Sequence, residues 1–112
     1  MNTISTHILD VTLGKPAQNV TVRLDKSNDN AWQNIGEGKT NADGRIANFN
    51  ESFSLEEGLY RLTFETAEYF QTIDSKTFYP IVQIAFEVSN QDEHYHVPLL
   101  LSPFGYSTYR GS

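Results

Sequence analysis

Hydrophobic residues recur along this chain with a period of two. Val20, Val22 and Leu24 alternate with Thr21, Arg23 and Asp25; Tyr60, Leu62 and Phe64 alternate with Arg61 and Thr63; Val82, Ile84, Phe86 and Val88 alternate with Gln83 and Glu87. An extended backbone sends successive side chains to opposite faces, so each run reads as a strand buried on one face only. Weaker versions of the pattern at 4–11, 32–39, 45–49, 94–101 and 106–110 bring the expected total to about eight strands. Between the runs stand turn formers: Gly14-Lys15-Pro16, Ser27-Asn28-Asp29-Asn30, Asn41-Ala42-Asp43-Gly44, Glu56-Glu57-Gly58, Ser89-Asn90-Gln91-Asp92 and Ser102-Pro103-Phe104-Gly105. Glycine supplies positive φ there, and Asn or Asp side chains close their own turns. Short strands at this spacing predict an all-β sandwich or barrel. One stretch departs from the pattern. Over 66–76, Thr66 as a cap, Glu68 in a first turn and Lys76 in a last turn match the polarity of a short helix, and Pro80 then restarts a strand.

The 112 residues form a single expected domain over 1–112, with no repeat, linker or low-complexity tract to mark a second. A chain of this size can bury about two-thirds of its extended surface, so its core needs no covalent staples. The absence of cysteine excludes disulfides, thiolate catalysis and Cys-based metal centres. A net charge of −6 without a Lys/Arg cluster argues against nucleic acid. Apolar runs such as 97–101 fall far short of the roughly 20 residues that a membrane span needs, so no membrane partner is expected. The opening Met1-Asn2-Thr3-Ile4-Ser5-Thr6-His7 lacks the basic and apolar regions of an export signal. The expectation is a cytoplasmic protein, or a periplasmic one whose leader has been removed.

Three histidines, His7, His94 and His96, are the side chains whose ordinary pKa lies near neutrality. His94 and His96, two apart on a strand, leave the same face, opposite Tyr95, Val97 and Leu99. That spacing fits either a zinc pair with His7 as third ligand or ordinary surface residues. His7 is in phase with Leu9 and Val11, which places it as a hydrogen-bonded histidine at the rim of the core. Arg45, after the Asn41-Ala42-Asp43-Gly44 turn, is either a clamp for a planar anion or a solvated charge. The end of the chain, Ser107-Thr108-Tyr109-Arg110-Gly111-Ser112, carries strand-like residues to its last position. If ordered, it gathers Tyr109, Arg110 and the Ser112 carboxylate; otherwise it is a frayed edge. The sequence contains no Gly-rich phosphate loop, G-x-S-x-G elbow or H-E-x-x-H motif. The triplets Asn19-Val20-Thr21 and Asn50-Glu51-Ser52 match the glycosylation sequon, which has meaning only on export.

Four segments carry a resemblance: Ser5-Thr6-His7-Ile8-Leu9-Asp10, Gly14-Lys15-Pro16-Ala17, Asp43-Gly44-Arg45, and the close from Leu99-Leu100-Leu101-Ser102-Pro103-Phe104-Gly105 to Tyr106-Ser107-Thr108-Tyr109-Arg110-Gly111-Ser112. Together, in this order, they resemble the 5-hydroxyisourate hydrolases, the transthyretin-related enzymes of urate breakdown. The resemblance implies an eight-stranded transthyretin-like β-sandwich with a short helix after the fifth strand. It also implies a homotetramer, a dimer of dimers, with its sites between dimers. On this reading His7, Arg45 and His96 are catalytic, and His7, Arg45, Tyr109, Arg110 and Ser112 bind the small-molecule substrate 5-hydroxyisourate. No cofactor or metal is implied, and His94 is not among the residues carried over. Transthyretin, the thyroid-hormone carrier, shares the implied fold but lacks this histidine-and-arginine set, so hydrolysis is expected over carriage of an aromatic ligand.

Overall fold

The computed structural model describes residues 3–51 and 53–112. Met1, Asn2 and Ser52 lie outside the described residues, and with Ser52 the last member of the second sequon. The described residues form nine strands and one helix: β1 (Ile4–Asp10), β2 (Lys15–Pro16), β3 (Thr21–Asn28), β4 (Ala31–Lys39), β5 (Arg45–Ile46), β6 (Gly58–Phe64), α1 (Thr66–Thr72), β7 (Val82–Val88), β8 (Tyr95–Ser102) and β9 (Gly105–Thr108). One sheet runs β2-β1-β8-β9 with β5 also paired to β1, and the other runs β4-β3-β6-β7. The expected all-β sandwich with one short helix is therefore what forms. The ninth strand is the Lys15–Pro16 segment, read from sequence as part of a turn. It pairs with the end of β1, Leu9 opposite Pro16 and Asp10 opposite Lys15. A proline is tolerated there because β2 is an edge, where a missing N–H breaks no ladder.

The two sheets close over one core. Ile4, Ile8, Leu99 and Leu101 of the first sheet and Val22, Leu24, Tyr60, Leu62, Phe64 and Val82 of the second are almost wholly removed from water. Burial of such side chains contributes about 1.5–3 kcal/mol each, which offsets the entropy lost in ordering the strands. The β3–β4 hairpin turns on Asp29 and Asn30, both at positive φ (51° and 67°), the turn that matches the natural twist of two strands.

The helix is shorter than expected. Thr66 is its first residue and not its cap; the cap position is Glu65, which makes no side-chain capping bond. The Thr66 hydroxyl is buried and donates instead to the Tyr79 carbonyl at 2.5 Å. At the other end Asp74 takes a left-handed φ of 53°, and the Ser75 N–H returns to the Phe70 carbonyl at 2.9 Å. That closure stops the helix at Thr72 and leaves Lys76 beyond it. Tyr69 and Phe70 bury the inner side of the helix, and the Tyr69 hydroxyl donates to Asp10 Oδ2 at 2.6 Å. Asp10 Oδ1 accepts the N–H groups of Thr12 and Leu13, both at 3.0 Å. One buried carboxylate thus ties the end of β1 to the helix.

Candidate functional site

The strands β1 and β8 lie side by side and parallel in the middle of their sheet, Ile4 opposite Tyr95 and Ile8 opposite Leu99. Strand alternation turns Ile4, Thr6, Ile8 and Asp10 to the core, and with them Tyr95, Val97, Leu99 and Leu101. Ser5, His7, Leu9 and His96 therefore leave by the outer face. This corrects the placement of His7 at the rim of the core. Its apolar companions mislead: Leu9 is only partly buried and Val11 is 49% exposed. The true core phase of β1 holds two polar residues, Thr6 and Asp10, made tolerable inside by hydrogen bonds. The Thr6 hydroxyl donates to the Val97 carbonyl at 2.6 Å.

Arg45 reaches the same face because β5 pairs with β1 so that His7 stands opposite Arg45. The preceding turn is built by Asn41, whose Oδ1 accepts the N–H groups of Asp43 (2.9 Å) and Arg45 (3.0 Å). Gly44 has a φ of 73° and its carbonyl accepts the Ile8 N–H at 2.8 Å. A Cβ at Gly44 would lie 2.5 Å from the Ile8 carbonyl oxygen, which is backbone and cannot move aside cheaply. Gly44→Ala is therefore expected to cost about 2–3 kcal/mol and to shift β5, and with it Arg45, away from His7. Urea unfolding checks the first effect; the second is read as a loss of turnover that exceeds the loss of folded protein.

His96 is held from both sides. Its Nδ1 lies 2.7 Å from Ser5 Oγ, and the Gly111 N–H donates to its backbone carbonyl at 2.8 Å. A Cβ at Gly111 would come within 2.5 Å of His96 Cδ2, so only glycine lets the tail lie flat against this imidazole. His94 stacks on His96 with ring centroids 6.2 Å apart and planes 13° from parallel. Burial depresses the pKa of His96, and the neighbouring His94, Arg45 and His7 depress it further. Burial and Arg45 also depress His7, partly opposed by a hydrogen bond to the Asp43 backbone and by the Asp43 charge. Both imidazoles are thus neutral near pH 7, each with one nitrogen free to accept a proton.

A depression of about 220 Å³ opens on this face, lined by Ser5, Arg45, His94, His96 and Ser112 among others. Of the six site residues expected from sequence, Arg45, His96 and Ser112 line this depression; His7 does not line it but stands opposite Arg45 on the same face. Tyr109 and Arg110 do not line the depression; they border a second cavity of about 260 Å³ beside Phe86, which His96 also borders. The Arg110 guanidinium donates to Glu93 Oε1 at 2.9 Å and to the His94 carbonyl at 3.3 Å, and it lies 4.5 Å above the Tyr95 ring. Its ion-pair partner is thus Glu93 and not the Ser112 carboxylate. Among the described residues no three ligating side chains gather as a metal ion would require. Sequence reading assigned no role to Ser5 or Gly111. Ser5 shares the phase of His7, but nothing local says that its strand lies beside His96.

Comparison with known proteins gives the chain its family. Residues 4–111 match the model of the HIUase/Transthyretin family. A 5-hydroxyisourate hydrolase of Salmonella dublin is 47% identical over 111 residues, 99% of this chain and 82% of that protein. The structure of Klebsiella pneumoniae 5-hydroxyisourate hydrolase superposes with a TM-score of 0.87 at 41% identity, over 98% of this chain and 99% of that one. Sea bream transthyretin in complex with thyroxine superposes with a TM-score of 0.91 at 32% identity, over 97% and 94% of the two chains. With its sandwich, its order of segments and a family match over nearly its whole length, this chain belongs to the HIUase/Transthyretin family.

Proposed function

We propose that this protein is a hydrolase that opens the six-membered ring of 5-hydroxyisourate with water, giving 2-oxo-4-hydroxy-4-carboxy-5-ureidoimidazoline in urate degradation. Relatives bearing that activity in their names, alike over almost the full chain, support the assignment. The observation that carries it chemically is the convergence of two neutral imidazoles and a guanidinium on one sheet face. Attack of water on an amide-like carbonyl needs a base for the water and donors for the oxyanion that develops. An imidazole of His96 or His7 takes the proton of the water and returns one to the leaving ring nitrogen. Arg45, always charged, holds the acidic edge of the substrate and stabilises the oxyanion. Ser112 borders the same space, and Tyr109 and Arg110 bind from the adjoining cavity on the other side of His96.

The depression lies open on the sheet face of a single chain, and Val11 and Leu13, just past the end of β1, are about half exposed. A homotetramer, assembled as a dimer of dimers across this face, covers those apolar groups and excludes water from the site. Carriage of a small aromatic ligand is the second reading, favoured by the likeness to the thyroxine complex of sea bream transthyretin. Faster decay of freshly generated 5-hydroxyisourate supports hydrolysis; uptake of an apolar aromatic ligand without turnover supports carriage.

The imidazole pKa values fix the sign of the pH response. Both lie below the ordinary 6.5, so the active neutral forms persist as pH falls through 6.5 and are lost only at lower pH. kcat/KM is expected to be flat around neutrality, with its acid limb centred below 6.5; a limb centred above 6.5 contradicts the assignment. Stability follows the same direction. In the unfolded chain these histidines bind protons near pH 6.5 while the folded ones do not, so the fold loses stability as pH drops below that value.

A further inference from the structure

Behind His96 lies a chain of hydrogen-bonding groups that the hydrolysis as described does not use. His96 Nδ1 meets Ser5 Oγ at 2.7 Å, Ser5 Oγ meets His94 Nε2 at 3.2 Å, and His94 Nδ1 is hydrogen-bonded to Thr3 Oγ1. Ser5 is buried, and its hydroxyl is the bridge between two stacked, half-buried imidazoles. Such a row has two self-consistent polarities. In one, His96 Nδ1–H donates to Ser5, Ser5 donates to His94 Nε2, and His94 Nδ1–H donates to Thr3, which leaves His96 Nε2 bare. In the other, every bond is reversed and His96 carries its proton on Nε2.

We propose that Ser5 and His94 form a proton relay that resets His96 between base and acid during ring opening. The inference rests on the reading of His96 as the group that meets the water. As the water oxygen bonds to the substrate carbonyl carbon, its proton passes to His96 Nε2. The proton on His96 Nδ1 moves to Ser5 Oγ, and the hydroxyl proton of Ser5 moves to His94 Nε2. His94 then holds the extra proton as an imidazolium, its Nδ1–H still on Thr3, and His96 is neutral with a proton on Nε2. When the carbonyl C–N bond breaks, that proton goes to the departing nitrogen. The return of one proton from His94 through Ser5 to His96 Nδ1 restores the starting state. The charge thus rests on His94, across the Ser5 bridge from His96. Ser5 and His94 are positioning residues on this account, since they act through His96.

The test uses the full chain with 5-hydroxyisourate generated in the cuvette. Ser5→Ala deletes the bridging hydroxyl and adds no bulk. It is expected to lower kcat about 10- to 100-fold with KM within about threefold, and Ser5→Thr, which keeps the hydroxyl, recovers most of the loss. His94→Gln, at a half-exposed position, serves if the buried change disturbs folding; it gives a similar loss, and the double variant is little worse than either single one. A proton inventory in mixtures of light and heavy water adds a readout that packing alone does not move: curved for the wild type, linear for Ser5→Ala. Wild-type kcat in Ser5→Ala and His94→Gln, or an inventory unchanged by either, overturns the relay while an inactive His96→Ala leaves the site reading intact. A fully active His96→Ala overturns the site reading itself, and the relay with it.

Discussion

Alanine at His7, Arg45 or His96 is expected to lower kcat/KM by about two to four orders of magnitude while each variant keeps the wild-type fold and assembly. Removal of a general base or acid costs about 10²- to 10⁴-fold, and loss of one oxyanion donor about 10²- to 10³-fold. All three side chains face outward from the sheet, so their truncation leaves the core between the sheets untouched. Stability therefore changes little, and circular dichroism and sedimentation should match the parent. Double variants are expected to fall far short of the product of the single losses, because the groups act on one transition state. Near-normal turnover in any single variant removes that residue from the mechanism. A loss that tracks unfolding instead assigns it to structure.

The second large effect falls on stability. Asp10→Ala is expected to cost about 3 kcal/mol or more, read as a lowered urea midpoint at fixed protein concentration. Asp10 is 1% exposed, and its carboxylate accepts the Tyr69 hydroxyl and the N–H groups of Thr12 and Leu13. Hydrogen bonds to a charged group are worth about 1.5–3 kcal/mol each, although they are not additive. The Thr12 and Leu13 amides can turn to water; the Tyr69 phenol cannot, and it stays behind as a buried donor without a partner. Burial together with Asp10 holds that phenol far above its ordinary pKa of 10, so it remains a donor across the working range. Asp10→Asn keeps the shape and loses the charge, and its cost is expected to be intermediate. Because Asp10 ends the strand that carries His7, the same loosening is expected to reduce turnover in proportion to the loss of folded protein. An unchanged midpoint for Asp10→Ala contradicts the anchoring role.

The parts of the fold legible in the sequence are those where burial is one-sided and local. The runs around Val22, Leu62 and Ile84 are strands whose alternating residues fill the core, and the hairpin at Asp29 and Asn30 carries its own turn chemistry. β1 was legible as a strand but not in phase, since hydrogen-bonded Thr6 and Asp10 occupy the core positions and the apolar Leu9 looks outward. The length of the helix depended on Asp74 adopting a left-handed conformation, which a non-glycine residue does not announce. For the site, spacing alone left His7, His94, His96 and Arg45 each with a bland alternative. Their convergence comes from the parallel pairing of β1 with β8, separated by most of the chain, and from the two-residue β5. Only the resemblance to a known family joined His7, Arg45 and His96 beforehand, and it left His94 out. It did not foresee that Arg110 would settle on Glu93 and Tyr95, a choice made by neighbours distant from the tail in sequence.

The most direct test is to follow the ultraviolet signal of enzymatically generated 5-hydroxyisourate, with and without the purified protein. The face shared by His7, Arg45 and His96 predicts decay many times faster than the spontaneous rate, collapsing to near that rate in the His96→Ala variant. Decay at the spontaneous rate with the folded wild-type protein present would contradict the account.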